Sequence, residues 1–314
     1  MIAAVFPGQG SQKPGMGKEL YDSFPAARQV FSEVSKASHI DVARLCFESD
    51  EEGLRQTQNA QLALYTCSVA AWSVLRGEKQ SLKVHAMAGH SVGEYAALAC
   101  AGVVSVEAGA KLVQRRGDLM ARSGTLRAGA MAAVLGMERD GLERVCEQAS
   151  TVDEVAVIAN DNCPGQLVIS GDAAAVARAG ELASAQGAKR VLPLNVSGAF
   201  HSPLMHEPAV AMGEALKSSS FHEPAEEVRV YSNVTAERVD GITAWPSLLE
   251  AQLRSPVRWT ESVQNMIRDG VTTFVECGSG EVLSGLIRRI DKGVTTLSVG
   301  DAATLEKALS ALND

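Results

Sequence analysis

The chain has 314 residues, of which 46% are hydrophobic, so it can bury a sizeable core as one large domain or as a large and a small one. Only 4% of the residues are aromatic, and a core of alanine, valine and leucine suits helices packed closely on a parallel sheet. The net charge of −8 argues against nucleic acid as the main partner, because phosphates attract an excess of basic residues.

The cysteines and the amino-terminal segment together predict a cytoplasmic protein. Six cysteines are scattered without a CxxC pair, which is typical of reduced thiols in a cytoplasmic protein. The apolar segment Ile2–Phe6 is too short for a signal peptide and follows no basic region. No stretch approaches the roughly 18 apolar residues of a membrane span, so we expect no membrane partner.

The first part of the chain predicts a strand followed by helices. The strand Ile2–Phe6 leads into the loop Pro7–Gln12. Helices are expected at 25–37, 59–76, 92–103 and 106–122. Ser105 is expected to cap the last of them.

The pattern changes near residue 126. Up to residue 196 the expected order is β-α-β-β-α-β, which is that of a ferredoxin-like split unit. Its strands are expected at Ala130–Gly136, Val155–Asn160, Gln166–Ser170 and Lys189–Val196, and its helices at Arg139–Ala149 and Asp172–Gln186. We therefore predict an α/β fold, with a hydrolase-like parallel-sheet domain (1–125 and 197–314) that carries an inserted ferredoxin-like βαββαβ subdomain (126–196).

After this unit the larger domain resumes. Two helices are expected to open at Pro246 and at Ser255–Pro256, because proline suits the first helical position. A short helix is expected to end the chain. The other expected elements are helices at Pro203–Ser219 and from Gly280 to Ile290, and strands at Val228–Ser232, Val271–Glu276 and Val294–Val299.

Residues Gly89 to Gly93 match the pattern GxSxG between an apolar strand and a helix rich in small residues. The two glycines allow a turn too sharp for a β-carbon, and this turn exposes the serine at the top of a sheet, where it can attack an acyl group. We therefore interpret Ser91 as a nucleophile. The alternative is a tight turn in which the serine only caps the helix.

A nucleophilic serine needs a base, and His201 is our candidate rather than an ordinary loop histidine. It follows the strand expected to end at Val196, and loops at the carboxyl ends of parallel strands carry the site in open α/β sheets. His90 is expected to point away from the serine, in a structural role. The spacing of His201 and His206 is poor for a metal and no HExxH occurs, so no metal site is expected.

An oxyanion hole requires two backbone N–H groups. One is expected from Val92, at the start of the helix after the nucleophile. The loop Gly8–Gln9–Gly10 is the natural source of the other, since its glycines permit close approach. A phosphate-binding loop is the competing interpretation, and the absence of GxxxxGK[ST] and GxGxxG argues against it.

Arg116 lies on the apolar face of the helix expected at 106–122. At about 100° per residue it falls in the middle of a hydrophobic stripe. The stripe consists of Val106, Leu112, Val113, Leu119 and Met120. A buried guanidinium needs an anion, which is either an internal Asp or Glu or the carboxylate of a dicarboxylic acyl group.

No acidic third member of a triad can be placed beside His201 from the sequence. A backbone carbonyl, or an amide such as that of Gln252, is expected to orient the imidazole instead. The pair would then be a Ser–His dyad.

Several motifs occur together in one order along nearly the whole chain. They are Phe6-Pro7-Gly8-Gln9-Gly10-Ser11-Gln12, Gly89-His90-Ser91-Val92-Gly93-Glu94-Tyr95, Arg115-Arg116-Gly117, Asn162-Cys163-Pro164-Gly165-Gln166, Gly198-Ala199-Phe200-His201-Ser202-Pro203-Leu204-Met205, Gln252-Leu253 with Pro256-Val257, and Glu276-Cys277-Gly278-Ser279-Gly280. Together they resemble the malonyl-CoA:acyl carrier protein transacylases. Two departures are mild: Val92 stands where leucine is common, and Gly278-Ser279-Gly280 where Gly-Pro-Gly is common.

The resemblance implies a role for each matching residue. Ser91 would be the nucleophile, His201 the base, and Arg116 the ligand of the malonyl carboxylate. The N–H groups of Gln9 and Val92 would form the oxyanion hole. Gln252, Asn162 and His90 would support the site.

The resemblance also implies the substrates and the reaction. Malonyl would pass by a ping-pong mechanism from malonyl-CoA to Ser91 and then to the phosphopantetheine thiol of acyl carrier protein, in fatty acid biosynthesis. Coenzyme A thioester would be a substrate, and no cofactor is expected. A serine hydrolase, a non-catalytic carrier-binding protein and a free-standing acyltransferase of polyketide assembly are the alternatives.

Carrier docking and oligomeric state are the least defined by the sequence. A basic surface is a candidate for docking the carrier, although a solvated surface is the alternative for each of its members. These residues are Lys189, Arg190, Arg288, Arg289 and Lys292. We expect a monomer, because no coiled-coil pattern or interface motif is evident.

Overall fold

The computed structural model describes residues 1–126, 128–225 and 227–312. The strands are β1 (Ile2–Phe6), β2 (Ala86–Gly89), β3 (Gly129–Leu135), β4 (Ala156–Cys163), β5 (Gln166–Asp172), β6 (Arg190–Pro193), β7 (Arg229–Val230), β8 (Val257–Arg258), β9 (Thr273–Cys277) and β10 (Thr295–Val299). The α-helices are α1 (Lys18–Ser23), α2 (Pro25–Ser38), α3 (Val42–Glu48), α4 (Glu51–Arg55), α5 (Thr57–Glu78), α6 (Gly93–Cys100), α7 (Val106–Leu126), α8 (Arg139–Ala149), α9 (Ala173–Ala185), α10 (His206–Lys217), α11 (Trp245–Gln252), α12 (Trp259–Arg268), α13 (Val282–Ile290) and α14 (Ala302–Ala311).

The larger sheet is parallel and has the strand order β10-β9-β1-β2-β7. Its central strand β1 is an apolar run that is buried on both faces, as a parallel sheet covered by helices requires. Phe6 pairs with Gly89 and Val5 with Glu276, so β1, β2 and β9 end at the same edge. The loops that follow these three strands therefore meet at this edge, where open α/β sheets bind their ligands.

The smaller sheet has the order β6-β3-β5-β4-β8. Strands β3 to β6 are antiparallel and, with α8 and α9, form the predicted ferredoxin-like unit. The predicted fold class, a parallel-sheet α/β domain combined with this unit, is confirmed. The domain boundaries at residues 125 and 196 stay a prediction.

The fifth strand of the smaller sheet corrects the sequence analysis. The helix expected to open at Ser255–Pro256 begins only at Trp259. Val257 and Arg258 instead form β8, which pairs in parallel with Asn160 and Asp161 of β4. Pro256 therefore precedes an edge strand, where its missing N–H costs no hydrogen bond between strands. The small sheet is completed by β8, which lies beyond residue 197 in the sequence.

The strand expected at Lys189–Val196 is shorter than predicted. β6 ends at Pro193, and the N–H of Val196 bonds to the carbonyl of Leu194, so the chain turns away from the sheet. β6 is also an antiparallel edge strand of the small sheet. The loop that carries His201 therefore does not extend from a parallel strand, contrary to the argument that first selected this residue.

Helices α5 and α6 pack against the larger sheet, and α7 packs against α5 in the main core. α5 is buried along most of its 22 residues, and the hydroxyl of its Tyr65 donates to the carbonyl of Val106 at the start of α7. The Ser105 hydroxyl accepts from the N–H of Ala108, as expected of a cap. Across the described residues, every helix is too short or too polar to traverse a bilayer.

Candidate active site

The GxSxG segment forms a strained turn between β2 and α6. Ser91 has a φ of 53°, in the left-handed region that residues with a β-carbon rarely adopt. A β-carbon on Gly89 would lie 1.9 Å from the carbonyl of Gly93, and one on Gly93 would lie 2.1 Å from the carbonyl oxygen of Phe6. Only glycine therefore fits at both positions, and the turn carries the serine to the carboxyl edge of the parallel sheet.

Asn233 holds this turn in place, and the sequence analysis did not identify it. Its Oδ1 accepts from the N–H of Ser91 at 2.7 Å, and its Nδ2 donates to the carbonyl of Gly89 at 2.6 Å. The side-chain amide thus bonds the turn as a neighbouring strand would. Asn233 follows β7, which pairs with β2, so its position after the adjacent strand is the one signal of its role in the sequence.

Ser91 and His201 are brought together. The Oγ of Ser91 lies 2.8 Å from Nε2 of His201. The Nδ1 of the imidazole lies 2.8 Å from the carbonyl oxygen of Gln252 and 3.2 Å from that of Ser255. Carbonyl oxygens only accept, so Nδ1 carries the proton and Nε2 is free to accept the serine hydroxyl proton. Of the orienting groups considered above, the backbone carbonyl is the one that bonds the imidazole.

The surroundings of His201 keep its imidazole neutral. Burial and the nearby Arg116 guanidinium lower its pKa to about 3, against weaker support from the carbonyls of Gln252 and Ser255. A neutral imidazole is the form that can take a proton from a serine at neutral pH.

Arg116 projects from α7 to the same point and is 1% exposed. Its Nη2 donates to Ser91 Oγ at 2.9 Å and to Gln252 Oε1 at 3.0 Å, and its Nη1 donates to Gln61 Oε1 at 2.7 Å. All three acceptors are uncharged. Among the described residues, no carboxylate lies within 4.0 Å of the guanidinium.

The nearest buried acid reaches Arg116 through an amide. Gln252 Nε2 donates to the carboxylate of Glu94 and to the carbonyl of Ser91. Glu94 also accepts from the N–H of Asn233 at 2.9 Å. Burial raises the pKa of Glu94 to about 7, although its hydrogen bonds and the Arg116 charge oppose the shift.

The two expected oxyanion donors lie beside the nucleophile. Gln9 is at the turn after β1 and lines the same cavity as Ser91, while Val92 follows Ser91 directly. Throughout the described ranges, neither N–H has a protein acceptor, and Gly10 N–H is held by the side chain of Gln12 at 2.7 Å. Both N–H groups can therefore receive a ligand oxygen.

His90 and Asn162 connect the two sheets. His90 Nε2 lies 2.8 Å from Asn162 Oδ1, and the imidazole packs edge-on against Trp259. The pairing of β4 with β5 is irregular on both sides of Asn160–Asp161, and Asn162 falls in the second irregularity. Such bulges turn a side chain out of the regular alternation, here toward His90. The imidazole of His90 thus bonds away from Ser91.

A cavity of about 320 Å³ opens above Ser91. Its polar lining includes Gln9, His90 and His201. Its apolar wall consists of Met120, Met131, Leu194, Val196 and Phe200. The cavity therefore combines a small polar site with a surface that excludes water.

The basic residues considered for docking all lie on the surface. Arg288 donates to Thr296, and Arg289 donates to Gln166 at 2.6 Å. Lys189 and Arg190 lie at the start of β6, whose continuation at Leu194 to Val196 lines the cavity.

The fold and the Ser–His pair define an acyltransferase. The acyl transferase domain family matches residues 4–300, and the chain belongs to this family. Over all 314 residues it is 43% identical to the malonyl CoA-acyl carrier protein transacylase of Bacillus subtilis (strain 168), covering 98% of that protein. These matches confirm the resemblance noted in the sequence.

Solved structures give the same result. The malonyl-CoA:acyl carrier protein transacylase of Xanthomonas oryzae pv. oryzae has a TM-score of 0.94 and 43% identity, with 99% of this chain and 98% of that chain covered. A type II PKS acyl-carrier protein in complex with its malonyl-transacylase has a TM-score of 0.93 and 39% identity, with 99% of each chain covered.

Replacing Asn233 by alanine should loosen the turn that carries Ser91. We expect Asn233→Ala to slow labelling of Ser91 by a fluorophosphonate at least about tenfold, because a displaced reacting group loses its alignment. Asn265→Ala is the matched control, since Asn265 is also buried and donates to a carbonyl, that of Ala236. Both variants should lose about 1–3 kcal/mol in urea unfolding. Equal labelling rates in the two variants would contradict the role of Asn233.

The low pKa of His201 predicts an unusual pH profile. A base with a pKa of about 3 stays unprotonated above that pH, and its activity is lost only as the pH falls through 3. We expect fluorophosphonate labelling of Ser91 to change less than about threefold between pH 8 and pH 5, whereas a histidine with its ordinary pKa would lose about thirtyfold. A thirtyfold loss at pH 5 would show that the imidazole is not held neutral.

Proposed function

We propose that this enzyme transfers malonyl from malonyl-CoA to the phosphopantetheine thiol of acyl carrier protein through a malonyl-Ser91 intermediate. The observation that carries the proposal is the buried Arg116 guanidinium, 2.9 Å from Ser91 Oγ and bonded only to uncharged acceptors. Desolvating such a charge is costly unless an anion pairs with it, and the free carboxylate of a malonyl group is that anion. The names of the relatives support this choice of acyl group.

The first half-reaction loads the serine. His201 Nε2 takes the hydroxyl proton as Ser91 Oγ attacks the thioester carbonyl, and the new oxyanion is bound by the N–H groups of Gln9 and Val92. The carbon–sulfur bond then breaks. Coenzyme A leaves as a thiol with the proton from His201, and malonyl stays on Ser91 as an ester.

The second half-reaction reverses these steps with a different thiol. His201 takes the proton of the carrier's phosphopantetheine thiol, and the sulfur attacks the ester carbonyl. The ester bond to Ser91 breaks, Oγ regains the proton from His201, and malonyl leaves on the carrier. The same base serves both directions because its pKa returns it to the neutral form each time.

Arg116 has two parts in this scheme. Its bond to Ser91 Oγ favours the developing alkoxide, and the same charge holds the malonyl carboxylate. The apolar wall at Met120, Met131 and Phe200 limits access of water to the ester, which favours transfer to a thiol over hydrolysis. A serine hydrolase of uncharged acyl groups would gain nothing from a cation placed for a second carboxylate.

The pathway and the partner surface are part of the proposal. Fatty acid biosynthesis in the cytoplasm by a monomer is our first choice, and the uniformly unpaired cysteines suit a reducing compartment. Polyketide assembly is the second candidate, supported by the similarity to a malonyl-transacylase solved with a type II PKS carrier. Of the docking candidates, Arg190 begins the strand that leads to the cavity and Lys189 directly precedes it.

Intact-protein mass after brief mixing with malonyl-CoA tests the reaction directly. We expect a malonyl adduct on the wild type, none on Ser91→Ala, and loss of the adduct when acyl carrier protein with its phosphopantetheine arm is added. Release of coenzyme A and malonate without an adduct would favour a hydrolase. No adduct and no turnover would favour a protein that only binds the carrier.

Substitution of Arg116 tests the choice of acyl group. We expect Arg116→Ala to slow malonyl loading about 30- to 1,000-fold more than acetyl loading, because a charge-assisted pair in a dry pocket contributes roughly 2–4 kcal/mol. The measurement is the rate of adduct formation with malonyl-CoA and with acetyl-CoA. Equal losses for both substrates would contradict the carboxylate role of Arg116.

A further inference from the structure

We infer that Glu94 is a positioning residue for malonyl selectivity: its carboxylate fixes the direction of the Gln252 side-chain amide, and this amide holds the Arg116 guanidinium beside Ser91. The inference rests on the proposed role of Arg116 as ligand of the malonyl carboxylate. It gives a function to a buried acid that takes no part in the proton transfers described above.

Glu94 is an acceptor on both of its oxygens. The side chain lies in the first turn of α6 and is 1% exposed. Oε1 accepts from the N–H of Asn233 at 2.9 Å, and Oε2 accepts from Nε2 of Gln252. An ionised carboxylate offers only acceptors, so it matches both donors.

The amide of Gln252 has a fixed direction because of these bonds. Nε2 donates both to Glu94 and to the carbonyl of Ser91, the latter at 3.0 Å. Neither of these partners can donate. Oε1 is thereby turned toward Arg116 and accepts from its Nη2 at 3.0 Å. The order of donors and acceptors runs without conflict from Glu94 to the guanidinium.

An amide at position 94 cannot satisfy the same network. Its NH₂ group must face either the N–H of Asn233 or Nε2 of Gln252, and both are donors. If Gln252 turns over to accept from the new NH₂, its own NH₂ faces Arg116 Nη2 and its oxygen faces the carbonyl oxygen of Ser91. Every arrangement leaves at least one mismatch in a buried site, which is costly.

The backbone N–H of Asn233 cannot turn away, so the new oxygen stays on it and the new NH₂ faces Gln252. When Gln252 turns over to accept from this NH₂, the mismatch falls on Arg116. Without Gln252 Oε1, Nη2 of Arg116 keeps only Ser91 Oγ, and Nη1 keeps Gln61. Nε of the guanidinium has no partner among the described residues, so it cannot compensate. The guanidinium then lacks the contact that sets its angle to the nucleophile, and bidentate pairing with a carboxylate depends on that angle.

Glu94→Gln tests this arrangement by the ratio of malonyl to acetyl loading of the full-length enzyme. We expect the ratio to fall at least about tenfold, since one buried mismatch is large enough for that change. Glu276→Gln is the matched control: Glu276 is fully buried and accepts from the N–H groups of Leu283 and Ser284, away from Arg116. The control should lose stability and keep the wild-type ratio.

The wild type provides a second measurement that does not depend on a variant folding. Protonated Glu94 carries a donor, as glutamine does, and burial raises its pKa to about 7. The malonyl-to-acetyl ratio should therefore fall at least about threefold from pH 8 to pH 6, and it should be flat for Glu94→Gln.

The pKa shifts of the histidine, tyrosine and cysteine side chains described near Glu94 are directed away from this range. Arg116 on α7 stays charged, and the pKa of His201 lies near 3. Burial lowers the pKa of His90 and raises the pKa values of Tyr95 on α6 and of Tyr65 and Cys67 on α5.

The outcomes separate this inference from the proposed function. A wild-type ratio in Glu94→Gln, or a wild-type profile that is flat between pH 8 and pH 6, would overturn the positioning role. A higher ratio would also overturn it, because it would show that Glu94 acts only as a negative charge that opposes malonyl. Failure of the proposed function would appear elsewhere, as equal malonyl and acetyl losses in Arg116→Ala.

Discussion

A positive charge buried beside Ser91 is the constraint on which the rest of the site depends. The guanidinium of Arg116 is buried away from solvent. It donates hydrogen bonds to the side chains of Gln61, Ser91 and Gln252, none of which carries a charge. Such a guanidinium is stable only if its hydrogen bonds are well met, and it gains most from an anion that arrives later. The free enzyme thus has a site that the substrate completes.

The same constraint explains why the base is oriented by backbone carbonyls. A carboxylate beside His201 would lie near Arg116 and would compete with the substrate for it. The carbonyls of Gln252 and Ser255 fix the imidazole tautomer without adding a charge. The side-chain amide of Gln252 lies between the nearest buried acid, Glu94, and the guanidinium and is hydrogen-bonded to both. The positive charge also lowers the pKa of His201, so in the proposed mechanism one residue serves both selection and the chemistry.

The parts of the site that the sequence predicts are those encoded in short segments. The turn around Ser91 and the helical stripe with Arg116 are local patterns, and their positions follow from spacing alone. His201 lies against Ser91, where the prediction placed it, although its loop follows an antiparallel edge strand and not the parallel strand that the prediction assumed.

The residues that the sequence does not reveal act over long separations. Asn233 bonds to Ser91 and Gly89, more than 140 positions earlier, and Glu94 bonds to Gln252, which is 158 positions away. A buried asparagine after a two-residue strand has no periodic signature. Pro256 was misassigned for a related reason: proline is equally acceptable at a helix start and before an edge strand, and only the pairing with β4 distinguishes them.

Strand β4 of the small sheet is linked to both His90 and His201. β4 carries Asn162, which bonds His90, and it pairs with β8, which directly follows the segment whose carbonyls hold His201. The opposite end of the same unit is the turn between α8 and β4, where Val152 is completely exposed. We therefore expect the two ends of the subdomain to differ in their tolerance of change: the outer turn should accept substitutions and insertions, whereas the β4 edge is constrained by the alignment of the His201 imidazole.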